Sequence, residues 1–267
     1  MSEISSIEPR HIKGFNKVGL YTLVQREVGR FLVVYSQTIL APVVTTLLFF
    51  AVFALAFGGE DRQIGDVPFL QFLAPGLIMM AMVQNAFANT SSSLIISKVQ
   101  GNIVDILMPP LSSLELMIGF VTGGLVRGLL VGALAVLVVS FFVTLPISSV
   151  PIILAFAVLG NTMMAMMGMI GGIVASKFDH LAAFTNFFVT PLTFLSGTFY
   201  SLERLPEVWH GIALYNPFFY MIDGFRSGFI GQADGEIWIG LTMLLAVNAA
   251  LYVIAYKMLK SGYKIKS

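Results

Sequence analysis

Long apolar blocks free of charged residues alternate with short polar stretches along this chain. No residue between Arg30 and Glu60 is charged, and the same holds from Val67 to Ser97. About twenty consecutive apolar residues cross a bilayer core as a helix. The blocks therefore predict membrane spans at residues 39–57, 69–90, 116–142, 152–175, 181–200 and 237–256. Pro42 and Pro75 should kink the first two and Pro191 interrupt the fifth, because proline has no N–H to donate to the turn before it.

The stretches between the blocks have patterns of their own. In residues 17–34, Leu20, Val24, Val28 and Phe31 recur at helical spacing while Thr22, Arg26 and Arg30 mark another side, which predicts an amphipathic interfacial helix. Residues 98–113 form a polar loop enclosing a miniature helix. Asn102 can cap it, Asp105 sits beside the positive end of its dipole, and Pro109 and Pro110 stop it. The longest non-spanning segment, 201–236, contains YNPFFYMIDGFRSGFIG, which is apolar enough to enter a membrane but too interrupted by Asn216, Pro217, Asp223 and Arg226 to cross one. A short helix should start at Pro217 and run towards Gly231, with Asp223 and Arg226 paired three residues apart.

Composition agrees with the membrane class: 57% of residues are hydrophobic, 11% are charged and the mean hydropathy is +0.88. A formal charge of +1 gives no case for nucleic acid, and with no cysteine there are no disulfides or thiolate metal sites. Arg10, Lys13, Lys17, Arg26, Arg30, Lys98, Lys177 and the tail lysines 257, 260, 264 and 266 fall on one side of the expected membrane; only Arg62, Arg204 and Arg226 fall on the other. Positive residues favour the cytoplasmic side, so both termini are expected there and segment 201–236 outside, with Trp209 and Trp238 in an outer aromatic belt.

Little here resembles catalytic chemistry. No Gly is followed by Lys, so the chain has no phosphate loop, and His11, His180 and His210 lie outside the spans. The methionines at 163, 164, 166, 167 and 169 read as packing rather than as thioether ligands. Arg127 is the one charge deep in a span, about 18 Å along the helix from Glu115 and so beyond its reach. It serves either an anionic substrate or a latch, or else structural contacts to carbonyls, outer loops or headgroups. Polar stripes run along spans one (Thr38, Thr45, Thr46), two (Asn85, Asn89, Ser92) and five (Asn186, Thr190, Thr193); they either line a pathway or bond helices together. Glycines at 119, 123, 124, 128 and 132, and at 168 and 172, would let neighbouring helices approach closely.

FLAPGLIMM (72–80), GGLVRGLLVG (123–132), TPLTFLSGTFYSL (190–202) and a YNP element followed by Tyr220 and Arg226, in that order before a last span and a basic tail, resemble the membrane subunit of type-2 ABC exporters. The resemblance implies an all-α integral membrane protein with six transmembrane helices, an N-terminal interfacial helix and re-entrant helices between spans five and six. It implies a homodimeric permease of the inner membrane, in contact with lipids and with two copies of an ABC ATPase subunit that binds ATP and Mg. On that pattern Arg26, Glu27, Arg30, Lys98, Asn102 and Asp105 couple to the ATPase. Thr38, Thr45, Asn85, Asn89, Asn186, Thr190 and Thr193 border the path. Arg127, Asn216, Pro217, Tyr220, Asp223 and Arg226 shape an outer gate. The substrate would be a lipid, polysaccharide or hydrophobic drug; the alternative is an ATP-independent channel, flippase or secondary transporter.

Overall fold

A computed structural model describes residues 14–57, 63–202 and 206–264. The expectations placed on Arg10, His11, Lys13, Arg62, Arg204 and Lys266 lie outside the described residues. Among the described residues the regular structure is helical apart from a two-stranded hairpin, β1 (Gln63–Ile64) and β2 (Val67–Pro68). The helices are α1 (Lys17–Val33), α2 (Ala41–Phe57), α3 (Phe69–Val99), α4 (Ile103–Leu107), α5 (Ser113–Val139), α6 (Val150–Val174), α7 (Phe178–Phe184), α8 (Thr190–Phe194), α9 (Glu207–Leu214), α10 (Pro217–Ile230) and α11 (Ile237–Ser261). A π-turn, Ser36–Leu40, leads into α2, and a second, Thr185–Val189, joins α7 to α8.

Five helices among the described residues are long and apolar enough to cross a membrane: Ser36–Phe57, α3, α5, α6 and α11. The expected fifth span, 181–200, is not among them. There the helix is continuous from Phe178 through the π-turn to Phe194 and then stops. Pro191 explains the irregularity, since it cannot donate to a carbonyl of the preceding turn and its ring crowds that turn. The chain widens to a π-turn before it and breaks off after it, and Gly197 takes a left-handed conformation, φ 72°.

α3 is the central helix, and α6 lies closest to it. Glycine is required where they meet: a Cβ at Gly168 would collide with the carbonyl oxygen of Phe87 and the hydroxyl of Thr90, and one at Gly172 would come within 3.0 Å of Ser91 O. In this contact the Thr90 hydroxyl donates to Ala165 O at 2.8 Å across the helices. Below α3 the buried Met163, Met164, Met166 and Met169 fill the core. The outer surfaces of α2 and α11 remain apolar and exposed, as with Leu48, Val52, Leu245 and Val253, which is how lipid-facing helices are built.

α10 is wedged against α3, α6 and α11 with every residue from Phe218 to Phe229 buried. Its ends follow from sequence: Asn216 caps it by accepting from Phe218 N–H at 3.0 Å, Pro217 opens it, and Gly231 ends it at φ 76°. Its two charges lie near enough to attract each other but make no direct ion pair. Asp223 instead accepts from Asp234 N–H (3.0 Å) and Gly235 N–H (2.9 Å), ahead of α11. Arg226 donates to Gly197 O at 2.6 Å, beyond α8, and stacks 3.7 Å over the Phe72 ring. At i, i+3 the two side chains diverge enough for each to find a separate loop, and backbone groups in those loops would otherwise be unpaired. α10 thus braces the segments on either side of it.

Candidate functional site

α1 and α4 meet at one end of the bundle, opposite α10. Asn16 caps α1 by accepting from Gly19 N–H at 2.9 Å, and its amide donates to Pro110 O at 3.2 Å. Ser112 and Glu115 form a capping box at the start of α5, and the Asn16 N–H also donates to Glu115 Oε1. Glu115, set aside as a partner for Arg127, therefore ties α1 to α5; the S-x-x-E spacing at Ser112 is a signal that would have found it. Ile106 anchors α4 in a cluster with Leu23 and Leu116. Asn102 precedes α4, but its side chain bonds Gln100 rather than capping the helix, because residue 102 sits at ψ 2° instead of in the extended conformation that aims a cap.

Between α1 and α4 lies a groove of about 470 Å³ lined by Thr22, Arg26, Asn102, Asp105 and Ile106. Asp105 on its edge and Val104 and Met108 beside it are exposed, so a short apolar and acidic knob is offered to solvent near the cation of Arg26. The other three residues expected at this surface are not on it. Lys98 donates to Ile173 O (2.7 Å) and Ala175 O (2.5 Å), closing the C-terminus of α6. Glu27 is 0% exposed, and Arg30 turns inward beside it. The buried face of α1 is Leu23, Glu27 and Phe31, so of the apolar stripe read from sequence Phe31 is on that face while Leu20, Val24 and Val28 are half-buried on its flank.

Glu27 and Arg30 belong to a ladder on α3. Ser93 donates to Glu27 Oε1 at 2.8 Å, and Arg30 lies 3.5 Å from Glu27 Oε2. Arg30 also donates to Asn89 O (2.7 Å) and Asn89 Oδ1 (3.1 Å) and reaches Ser92 Oγ at 3.3 Å. Burial draws the Arg30 guanidinium below its ordinary value, with the Glu27 carboxylate opposing the change, and it stays charged. One turn further along α3, Asn85 Oδ1 accepts from Arg127 at 2.8 Å. Arg127 is buried, so it does not snorkel to the headgroups. Gly123 of α5 makes room for this, since a Cβ there would stand 2.6 Å from that of Glu27. Residues that the sequence divides among three roles thus stand in one buried row joining α1, α3 and α5.

On the free side of α3 two grooves open. One, of about 320 Å³, lies towards α2 and is lined by Thr45, Thr46, Gln84 and Asn85. The other, of about 550 Å³, lies towards α7 and the second π-turn and is lined by Gln84, Ser91, Ser92, Asn186 and Thr190. Of the residues expected on a path, Thr45, Asn85, Asn186 and Thr190 are therefore on this face. Thr38 is not: its hydroxyl donates to Phe31 O at 2.6 Å, stitching the break between α1 and α2. Asn89 and Thr193 are fully buried, the latter bonded to Val189 O at 2.7 Å.

Residues 19–230 match the family described as ABC-2 type transporter. The chain belongs to this family. It is an ABC-2 permease subunit and a multi-pass membrane protein. It is 35% identical over 250 residues to the inner membrane transport permease YadH of Escherichia coli (strain K12), covering 94% of this chain and 98% of that one. It is also 23% identical over 200 residues to nodulation protein J of Sinorhizobium fredii (strain NBRC 101917 / NGR234), covering 73% of this chain and 75% of that one.

Proposed function

We propose that this permease is the membrane half of an ATP-driven exporter of the inner membrane, acting as a homodimer with two copies of a separate ABC ATPase that holds ATP and Mg. The observation that carries the reading is the free side of α3, where Thr45, Gln84, Asn85, Asn186 and Thr190 line two grooves that one chain leaves unclosed. A two-fold partner facing this side would close them into a pathway. Amides and hydroxyls alternate there with Phe87 and Leu181, which suits a substrate with polar and apolar parts, a property shared by lipids, lipid-linked polysaccharides and amphipathic drugs.

The Lys and Arg bias favours a cytoplasmic location for both termini and for α4. Six crossings follow if the irregular stretch from α7 to α8 counts as one, running from the end of α6 that Lys98 closes to the Gly197 turn held by α10. On the outer side α9 and α10 form a re-entrant pair; the 14 residues of α10 reach about 21 Å, short of a bilayer core. Closure of the ATPase pair presses on Val104, Asp105 and Met108. The push passes through Ile106 and the Asn16–Glu115 corner into α1, and through Glu27 and Arg30 to α3. The test is ATP hydrolysis by the purified permease–ATPase complex with Asp105→Pro, which breaks α4. We expect hydrolysis to lose its dependence on the permease; hydrolysis identical to wild type would remove α4 from the mechanism. Recovery of the tagged permease with no ATPase would instead favour an ATP-independent transporter.

A further inference from the structure

We propose that the corner formed by the end of α6, by α7 with its π-turn and by the residues after α11 binds one anionic phospholipid. A cavity of about 700 Å³ lies there, larger than either groove beside α3. Its floor is Ile170 and Val174, its wall is Phe184, Phe187 and Phe188, and its rim carries His180 and Lys264. Phe184 and Phe188 stack at 5.5 Å between ring centres, yet Phe187 and Phe188 remain 77% and 58% exposed. An aromatic wall left bare beside a membrane-spanning helix is a surface for an acyl chain.

The rim identifies the headgroup. Lys98 is already committed to carbonyls of the α6 terminus, whereas Lys264 makes one long hydrogen bond, 3.4 Å to Val174 O, and stands 5.7 Å over the ring of its neighbour Tyr263. An ammonium has three donors, so Lys264 keeps capacity for a phosphate. Among the described residues the lining holds no carboxylate, and Asp179, in the first turn of α7, is not part of it. A basic pocket between helices, with no acid among its described lining residues, selects an anionic lipid over a zwitterionic one. The phosphate sits at Lys264 and His180 while a chain lies along the phenylalanines. This site is separate from the α3 grooves and from the α1–α4 groove, so it does not depend on the route of transport.

The experiment uses the full chain in nanodiscs of phosphatidylcholine containing a minority of phosphatidylglycerol, with retained lipid counted by native mass spectrometry. We expect one phosphatidylglycerol held per chain. Lys264→Gln should reduce its retention by about fivefold, and adding His180→Gln should reduce it further by removing a hydrogen-bond partner; Lys264→Arg should preserve it, and Phe188→Ser should weaken it with the rim intact. Glycerol 3-phosphate, which has the headgroup charge but no chain, should not displace the lipid. Equal retention of phosphatidylcholine, undiminished retention in the Lys264/His180 double variant, or displacement by glycerol 3-phosphate would each overturn the proposal.

Discussion

Adding one methyl group at Gly168 should push α6 off α3, the pairing on which the bundle is built. The new Cβ would meet the carbonyl oxygen of Phe87, a backbone atom that cannot rotate away, and the hydroxyl of Thr90, which holds the cross-helix bond to Ala165 O at 2.8 Å. Overpacking of this kind costs about 1–3 kcal/mol. Loss of a polar contact between membrane helices adds about 0.6 kcal/mol, and the better helix propensity of alanine returns up to about 1 kcal/mol. The control is Gly29→Ala in α1, where an added Cβ meets nothing within 4 Å and only the propensity gain remains. The propensity gain cancels between the two variants, which should differ by about 2.6 kcal/mol, or about 5–10 °C in thermal midpoint for a chain of this size. Thermal unfolding of both purified proteins in one detergent measures this. If Gly168→Ala melted with or above Gly29→Ala, the close α3–α6 contact would be wrong.

Other perturbations test the remaining elements. Glu27→Ala leaves Arg30 against α3 without its carboxylate and should cost about 3 kcal/mol, the low end for a broken buried pair because the Arg30 side chain is 28% exposed; Glu27→Gln, which keeps an acceptor for Ser93, should cost less in the same melt. Asp223→Ala removes two charged acceptors from the loop before α11 and should cost about 3 kcal/mol while quickening proteolysis at residues 234–235, whereas a variant cleaved no faster than wild type would mean the loop is held otherwise. Because the chain has no cysteine, single substitutions report sidedness cleanly: a membrane-impermeant thiol reagent added outside intact cells should label Tyr215→Cys and leave Met108→Cys untouched, and the reverse pattern would invert the topology. Both positions are well exposed, at 84% and 76%.

The account was legible in the sequence where the signal is local. Asn216, Pro217 and Gly231 bound α10 because each acts through its own backbone geometry, and the glycine spacing on α5 and α6 marks close approach whichever helix arrives. Long-range pairing was not legible. Glu27, Asn85 and Arg127 lie in three separate segments, and nothing in the local pattern of any one says that the others face it. The Asp223–Arg226 spacing gave their mutual attraction but not their hydrogen bonds, which go to backbone groups elsewhere that sequence cannot see. The interruption at Pro191 was legible because proline acts on its own turn, whereas the π-turn before it and the stop at Phe194 depend on how neighbouring segments pack and were not.

The central claim, that force enters this permease at α4, is tested most directly by a photo-crosslinking residue placed at Asp105 and, separately, at Tyr215. In intact cells the probe at Asp105 should capture an ABC ATPase, with the yield changing when ATP is depleted, and the probe at Tyr215 should capture none. An ATPase captured only from Tyr215, or from neither position, would contradict the account.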